Sequence, residues 1–271
     1  MKYGFWLMIC FVIMACAVTK HPTNENSGMK YLILNPSIRI VDFDPLGHVY
    51  ILDENDRLSK YDTTGQLLCH VVNNNLGEAN SLDVGNPFKT FVFYRDQQTI
   101  LIYDRTLSEI QRIRLSDWGL HDVTAAGLSP DNAIWVFDGT NRVLVRLDDH
   151  GNALLTSDPF DIIGPGSPRP DFIFDMDQYL LLKESNHPIS VFDDFGKFLY
   201  NADINKDTFF SVSTKYVVTG SGKYIQMYDI AERKYVAPVL LKENVGEKKI
   251  YPSGGRYYVV DGKGIYKVNS E

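Results

Sequence analysis

Two neighbouring stretches decide the fold: Val49-Tyr50-Ile51-Leu52-Asp53 and, shortly after it, Lys60-Tyr61-Asp62-Thr63-Thr64-Gly65. The first is an apolar run rich in β-branched and aromatic residues, which is typical of a buried β-strand. The second ends a strand and begins a tight turn, because an aspartate side chain caps its own turn and glycine takes the positive φ that closes a hairpin. Together they predict antiparallel strands joined by short turns.

Both stretches recur along the chain about every forty residues. Copies of the second consist of an aromatic residue or leucine followed by aspartate, at Tyr61-Asp62, Tyr103-Asp104, Leu147-Asp148, Phe192-Asp193 and Tyr228-Asp229. A weaker sixth copy has Lys267 after Tyr266. A period near forty with four strands in each repeat is typical of a β-propeller, and six copies predict six blades.

The ends of the repeats predict how the ring closes. We expect blades at residues 38–72, 81–115, 123–157, 171–204 and 209–240, and a last blade that starts at residue 248 and holds only three strands. A strand from the N-terminal side, Lys30–Asn35, is expected to supply the missing one, since this closure removes exposed sheet edges. The sequence therefore predicts an all-β fold over residues 30–271: a six-bladed β-propeller whose last blade is closed by an N-terminal strand.

Charge and cysteine content exclude several classes of function. The 271 residues carry 27 Lys and Arg against 34 Asp and Glu, a net charge of −7. An acidic chain of this kind does not fit nucleic acid binding, which needs a basic surface. The three cysteines, Cys10, Cys16 and Cys69, form neither a disulfide framework nor a zinc motif.

The first fifteen residues are interpreted as a targeting signal. Lys2 is followed by an apolar run over Gly4–Val18, which is too short for a comfortable membrane span and suits a signal peptide. Ile13-Met14-Ala15-Cys16 resembles the bacterial lipobox, and this resemblance implies cleavage before Cys16 and lipidation of its thiol. An ordinary signal peptide and a single-span anchor remain the alternatives. Residues 16–29 are polar and are interpreted as a flexible tether.

Carboxylates provide the candidate site in the channel. Asp42, Asp83, Asp122 and Asp171 fall at or near the inner strands, which line the channel of a propeller. They would either hold a metal ion or stay hydrated and cap turns. Asp53–Asp56 resembles the start of a calcium loop but lacks its central glycine, and no catalytic motif is present. We therefore predict neither a metal nor a cofactor.

Two insertions between blades are candidate binding loops. Ser116–His121 and Asp161–Pro170 do not fit the repeat, and long loops carry function more often than strands do. Trp118, His121 and Arg169 are the candidate residues within them. The alternative is that these loops only cover the junctions between blades. Aromatic residues within the repeats, such as Phe91 and Trp135, are expected to pack blade against blade.

The combination of these features resembles a known family. The lipobox, the short tether and the sixfold strand-and-turn pattern are similar to the six-bladed β-propeller lipoproteins of Bacteroidota, which are related to NHL and YWTD propellers. Asp83–Lys89 followed by Phe91–Tyr94 carries the closest likeness. The resemblance implies an outer-membrane lipoprotein. Surface-export signals in that group place acidic residues directly after the cysteine, whereas the first acid here is Glu25, so we expect the protein to face the periplasm.

Three functions are compatible with the sequence. The favoured one is a lipid-anchored, non-catalytic propeller that binds a protein partner, or serves as a scaffold subunit, in the cell envelope. The second is a hydrolase resembling the metal-dependent lactonase propellers, which hold their metal with a Glu, Asn and Asp set. Only the aspartates are found at matching places in this chain. The third is a propeller that binds a glycan or small ligand. The sequence does not indicate an oligomeric state.

Overall fold

The computed structural model describes residues 30–160, 169–176, 178–204, 210–213 and 215–271. These residues form β-strands connected by short turns, with one short 3₁₀ helix at Leu115–Trp118. None of the helices in this part of the chain has the length and apolar character needed to cross a membrane.

The strands follow one another from the channel to the rim in each blade. The first strand, β1 (Tyr31–Leu34), precedes blade 1 in the chain. Blade 1 consists of β2 (Ile38–Phe43), β3 (Val49–Asp53), β4 (Arg57–Tyr61) and β5 (Leu67–Val72). Blade 2 consists of β6 (Ser81–Asp83), β7 (Lys89–Tyr94), β8 (Thr99–Asp104) and β9 (Glu109–Arg114). Blade 3 consists of β10 (Val123–Leu128), β11 (Ile134–Asp138), β12 (Val143–Leu147) and β13 (Ala153–Thr156).

The second half of the ring is built in the same way. Blade 4 consists of β14 (Phe172–Asp175), β15 (Tyr179–Lys183), β16 (Ile189–Asp193) and β17 (Phe198–Ala202). Blade 5 consists of β18 (Phe210–Val212), β19 (Tyr216–Ser221), β20 (Tyr224–Asp229), β21 (Lys234–Tyr235) and β22 (Val239–Leu240). Blade 6 contains β23 (Lys249–Ser253), β24 (Arg256–Asp261) and β25 (Gly264–Val268). The predicted six-bladed β-propeller is confirmed.

An N-terminal strand completes the last blade, as predicted. The sheet of blade 6 has the order β1-β25-β24-β23, so β1 is its outermost strand. The two strands approach each other closely at Gly264, which lies opposite Leu34. A Cβ atom on residue 264 would lie 2.1 Å from the carbonyl oxygen of Ile33, so only glycine fits at this position. The C-terminal residues add a second tie, because the Lys242 N–H donates to the Asn269 carbonyl at 3.1 Å, which links blade 5 to the end of the chain.

The hydrophobic core is divided between the blade junctions. Six clusters of buried residues occur in the described part of the chain, and each joins residues of two neighbouring blades. Phe91 and Phe93 face blade 3, and Trp135 faces blade 4, which confirms the expected packing role of the aromatic residues. The sixth cluster joins Ile33 and Tyr258 of blade 6 to Val41 of blade 1 and thereby closes the ring.

The predicted aspartate turns are present. In the turn between β4 and β5, Asp62 Oδ1 accepts hydrogen bonds from the backbone N–H groups of Thr64 (2.8 Å) and Gln66 (2.9 Å), and Gly65 has a φ of 86°. The same arrangement recurs at Asp44, Asp104, Asp148 and Asp193. Such self-capped turns need no tertiary contact, which explains why the sequence reveals them.

Candidate functional site

The inner strands β2, β6, β10, β14, β18 and β23 begin at one end of the channel and finish at the other. We call these the amino end and the carboxyl end of the channel, after the strand termini that lie there. The four aspartates selected from the sequence divide between the two ends. Asp42 and Asp83 lie in or at the end of their strands, whereas Asp122 and Asp171 precede β10 and β14. The structure does not bring all four together.

At the carboxyl end, Asp42 links blade 1 to blade 2. Its Oδ1 accepts a hydrogen bond from the Phe43 N–H at 2.9 Å, and its Oδ2 accepts one from the Val84 N–H of blade 2 at 3.1 Å. Burial raises the pKa of the Asp42 carboxyl to about 7, and the negative charge of Asp83 adds to this effect. Both oxygens are therefore engaged in structural contacts, and the group titrates near neutral pH.

Asp83 and Asp175 make similar links one and three blades further on. The Asp83 carboxylate accepts from the Leu128 N–H of blade 3 at 3.3 Å, and burial raises its pKa. Asp175 in blade 4 accepts from the Ser129 hydroxyl at 2.7 Å and from the Trp135 indole N–H at 3.0 Å. The sequence reasoning missed Asp175, although its position at the end of an apolar inner strand matches that of Asp83.

Blade 6 contributes a cation and a phenol that the sequence reasoning also missed. Partial desolvation lowers the pKa of the Lys249 ammonium group although the residue is exposed, while the charge of Asp42 acts in the opposite direction. Burial raises the pKa of Tyr251, and the Asp42 charge adds to this shift. Their positions in β23 could be found from the alternation Lys249-Ile250-Tyr251, because Ile250 is buried in the core and its neighbours point the other way.

At the amino end, two ion pairs bridge the elements around the channel. Arg169, one of the candidate loop residues, contacts Asp122 with Nη2 3.0 Å from Oδ1 and Nη1 3.2 Å from Oδ2. Arg95, in the turn between β7 and β8, contacts Asp171 of blade 4 at 3.3 Å. Asp171 also accepts hydrogen bonds from the N–H and hydroxyl of Ser185, both at 2.9 Å. These carboxylates hold loops in place.

The other predicted site residues have different surroundings. Trp118 is half-buried, packs against the core between blades 2 and 3, and lies over Gly151 so closely that a Cβ there would be 2.3 Å from its ring. His121 is exposed. Residues 161–168 of the second insertion and Cys16 lie outside the described residues. The structure therefore gives Trp118 a packing role and leaves lipidation of Cys16 as a prediction.

Two exposed apolar side chains lie at the carboxyl end of the channel, on the turns that join each inner strand to its neighbour. Leu46 is 62% exposed on the turn of blade 1, and Phe88 is 66% exposed on the turn of blade 2. Side-chain caps hold both turns: the Leu46 N–H donates to Asp44 at 3.0 Å and the Phe88 N–H to Asn86 at 2.9 Å. We call this pair of turns the apolar rim. Rigid turns that present leucine and phenylalanine to solvent are suited to contact with another protein.

A polar groove lies at the outside of the ring, between blades 1 and 2. Its volume is about 320 Å³, and it is bordered by Val71, Val72, Asn73, Asn74, Asn75, Tyr103, Glu109 and Arg112. The two charged residues of the groove pair with each other: Arg112 donates hydrogen bonds to both carboxylate oxygens of Glu109, at 2.9 and 2.8 Å.

The geometry required for a metal site occurs elsewhere than in the channel. Among the described residues, three potential ligands come within 4.8 Å of one another at Asp148, Asp149 and His150, in the turn between β12 and β13. In that turn Asp148 Oδ1 already accepts from the His150 and Asn152 N–H groups, at 2.9 and 2.8 Å. The Asp53–Asp56 segment is likewise a turn, capped by the hydrogen bond from the Asn55 N–H to Asp53 at 2.9 Å.

Comparison with known proteins identifies the fold. No family model matches the chain, and no curated protein matches it. The WD40 domain of Neurospora crassa Pan2 is similar in structure, with a TM-score of 0.55 and 13% identity over 83% of this chain and 72% of that chain. A streptogramin B lyase is similar at a TM-score of 0.55 and 13% identity, over 86% and 79% of the two chains.

A third structure belongs to the same group. A catalytically inactive virginiamycin B lyase from Staphylococcus aureus, solved with quinupristin, gives a TM-score of 0.55 and 12% identity over 86% of this chain and 84% of that chain. At this level of identity the similarity concerns the fold and does not extend to activity. The comparisons and the sheet order thus lead to one conclusion: the chain is a β-propeller of six blades.

Proposed function

We propose that this chain is a lipid-anchored, non-catalytic β-propeller of the bacterial cell envelope that binds a protein partner through the apolar rim. The observation that carries the proposal is the exposure of Leu46 and Phe88 on neighbouring, side-chain-capped turns at one end of the channel. Turns whose backbone is already held by side-chain caps lose little backbone conformational entropy when a partner covers them. An interface centred on them would gain most of its energy from these two residues.

The state of the channel carboxylates supports a binding role over a hydrolytic one. Asp42, Asp83 and Asp175 each accept hydrogen bonds from a neighbouring blade, so these carboxylates help to hold the ring together. A general base or metal ligand needs an oxygen directed at substrate or metal. The lactonase-like alternative therefore has less support than the binding function.

The proposed location in the cell envelope rests on the N-terminal sequence. The lipobox resemblance at Ile13–Cys16 supports an anchor on Cys16, and the polar residues 16–29 provide a tether between the membrane and β1. The absence of acidic residues before Glu25 supports a periplasm-facing position on the outer membrane. An anchored propeller of this kind would act as one subunit of an envelope assembly.

We expect the double substitution L46S/F88S to reduce recovery of the partner at least tenfold. The experiment is a crosslinked pull-down of the tagged full chain from its own membranes, read by mass spectrometry. Truncation of a hot-spot residue at the centre of an interface costs about 2 kcal/mol or more, whereas exposed substitutions alter stability by only about 0.5 kcal/mol. L154S, on the outer strand of blade 3, is the matched control because Leu154 is 56% exposed.

The anchor is tested in the same cells. Cys16→Ala should move the chain out of the membrane fraction and abolish incorporation of labelled fatty acid. Equal recovery of the partner with L46S/F88S and L154S would contradict the assignment of the rim, and labelled lipid on the Cys16→Ala chain would contradict the anchor.

A further inference from the structure

The outer strand of blade 1 has an unusual sequence for an exposed edge. β5 reads Leu67-Leu68-Cys69-His70-Val71-Val72, with no acidic, lysine, arginine or proline residue. Leu68 is 50% exposed and Val72 is 43% exposed. β5 is the last strand of its sheet and pairs with β4 alone among the described elements. One edge of its backbone is therefore available for pairing with another strand.

Other outer strands carry features that prevent such pairing. β9 contains Glu109, Arg112 and Arg114, and charged residues on an edge discourage the addition of a further strand. The rim of blade 5 is broken into β21 and β22, of two residues each, with Pro238 between them. β1 and β13 are only four residues long.

The outer strand of blade 4, β17, is one residue shorter than β5 and contacts blade 5 through the side chain of Tyr200. The Tyr200 hydroxyl of β17 donates a hydrogen bond to the Ile230 carbonyl of blade 5. The Arg233 guanidinium lies 4.4 Å from the centre of the Tyr200 ring. β5, at six residues, thus combines length, apolar composition and a free edge in a way that these strands do not.

We propose that β5 pairs with β5 of a second copy of this chain, antiparallel and about a twofold axis that passes near Cys69 and His70. The strand fits this arrangement, because an axis at Cys69 places Leu67 of one copy opposite Val71 of the other, Leu68 opposite His70, and Cys69 opposite its own copy. No like charges oppose each other in this pairing. Twofold dimers are the commonest homo-oligomers, and their interface uses the same surface of both copies.

This dimer goes beyond the proposed function and does not depend on it. β5 lies at the outer rim of blade 1, whereas Leu46 lies on the inner turn of that blade, so pairing leaves the apolar rim open to a partner. The L46S/F88S chain should therefore remain dimeric. If the L46S/F88S chain is monomeric, the dimer contact lies at the apolar rim and not at β5, and the proposal is overturned.

The test is sedimentation of the purified full chain in detergent at concentrations up to about 100 µM, where a dimer of micromolar affinity is populated. We expect the native chain to be dimeric. L68K should raise the dissociation constant at least tenfold, because it places two lysines near the axis. L154K introduces the same charge on the outer strand of blade 3 and should leave the dimer intact. All three chains should unfold at similar temperatures, since both positions are exposed.

A short bis-maleimide gives a second measurement. It should link two native chains through Cys69, identified by mass spectrometry of the linked peptides, and Cys69→Ser should abolish that linkage. A native chain that is monomeric throughout the range, an L68K chain that stays dimeric, or an L154K chain that becomes monomeric would each overturn the proposal. A purified chain that is monomeric, with β5 amides that are protected from deuterium exchange only in native membranes, would show that a strand of another protein pairs with β5. This result would also overturn the proposal.

Discussion

Replacement of Ile33 by aspartate is expected to lower the free energy of unfolding by about 4 kcal/mol or more, because an unpaired charge and a cavity then replace a buried side chain. Ile33 is 4% exposed and lies in the cluster that joins blade 6 to blade 1. It sits in β1, opposite Ile265 of β25. The loss should therefore open the ring at this junction before the other blades unfold. Urea unfolding, with deuterium exchange in β25 as a local readout, measures both effects.

The neighbouring residue provides the control. Leu34 belongs to the same strand but is 75% exposed, so Leu34→Asp should change stability by only about 0.5 kcal/mol. If both variants unfold at the same urea concentration as the native chain, β1 does not hold the ring closed, and the closure described above is wrong.

The stability of the fold is expected to fall as pH rises, because the buried Asp42 carboxyl then loses its proton. A folded-state pKa raised to about 7 means that the folded chain binds this proton more tightly than the unfolded chain does. The resulting stabilisation is complete below the ordinary pKa of aspartate and is lost as pH rises through 7. One pKa unit corresponds to about 1.4 kcal/mol, so we expect stability to fall by about 2.5 kcal/mol between pH 5 and pH 8.

The charged and titratable groups around Asp42 set the size of the remaining slope. Asp83 from β6 has a pKa raised in the same direction, and Lys249 and Tyr251 from β23 complete the surroundings. D42N should therefore remove most of the slope and leave a smaller part from Asp83. D62N is the control, because hydrogen bonds from Thr64 lower the pKa of Asp62 and keep it ionised over this range. An unchanged slope in D42N would contradict the assignment.

Local sequence signals were sufficient to predict the fold. Hairpin turns capped by aspartate and strands of alternating burial are encoded within a few residues, so their repetition reveals the blades and their number. The closing strand was predictable because the last repeat lacks one strand. Blade 2 shows the limit of this reasoning: its outer turn has Leu107 at a φ of 61° where blades 1, 3 and 4 have glycine, and the leucine side chain is buried. Tertiary packing compensates there for an unfavourable backbone conformation.

The candidate site was less accessible to sequence reasoning. Asp171 and Asp175 are four residues apart, and only the pairing of β14 with β15 shows which one ends the strand. Contacts between blades decide which residues reach the channel, and these contacts join residues about forty positions apart, such as Asp42 and Val84. The exposure of Leu46 and Phe88 has the same origin, since a turn sequence does not show whether another element covers it.

Photocrosslinking from the apolar rim in living cells shows directly whether another protein binds at this end of the channel. A photoreactive phenylalanine analogue at position 88 of the anchored full chain is expected to give one dominant crosslinked envelope protein, identified by mass spectrometry. The same analogue at position 154, on the outer rim of blade 3, should give no such product. Absence of any product from position 88, or the same products from both positions, would contradict the proposal that this propeller binds a protein partner through the turns that carry Leu46 and Phe88.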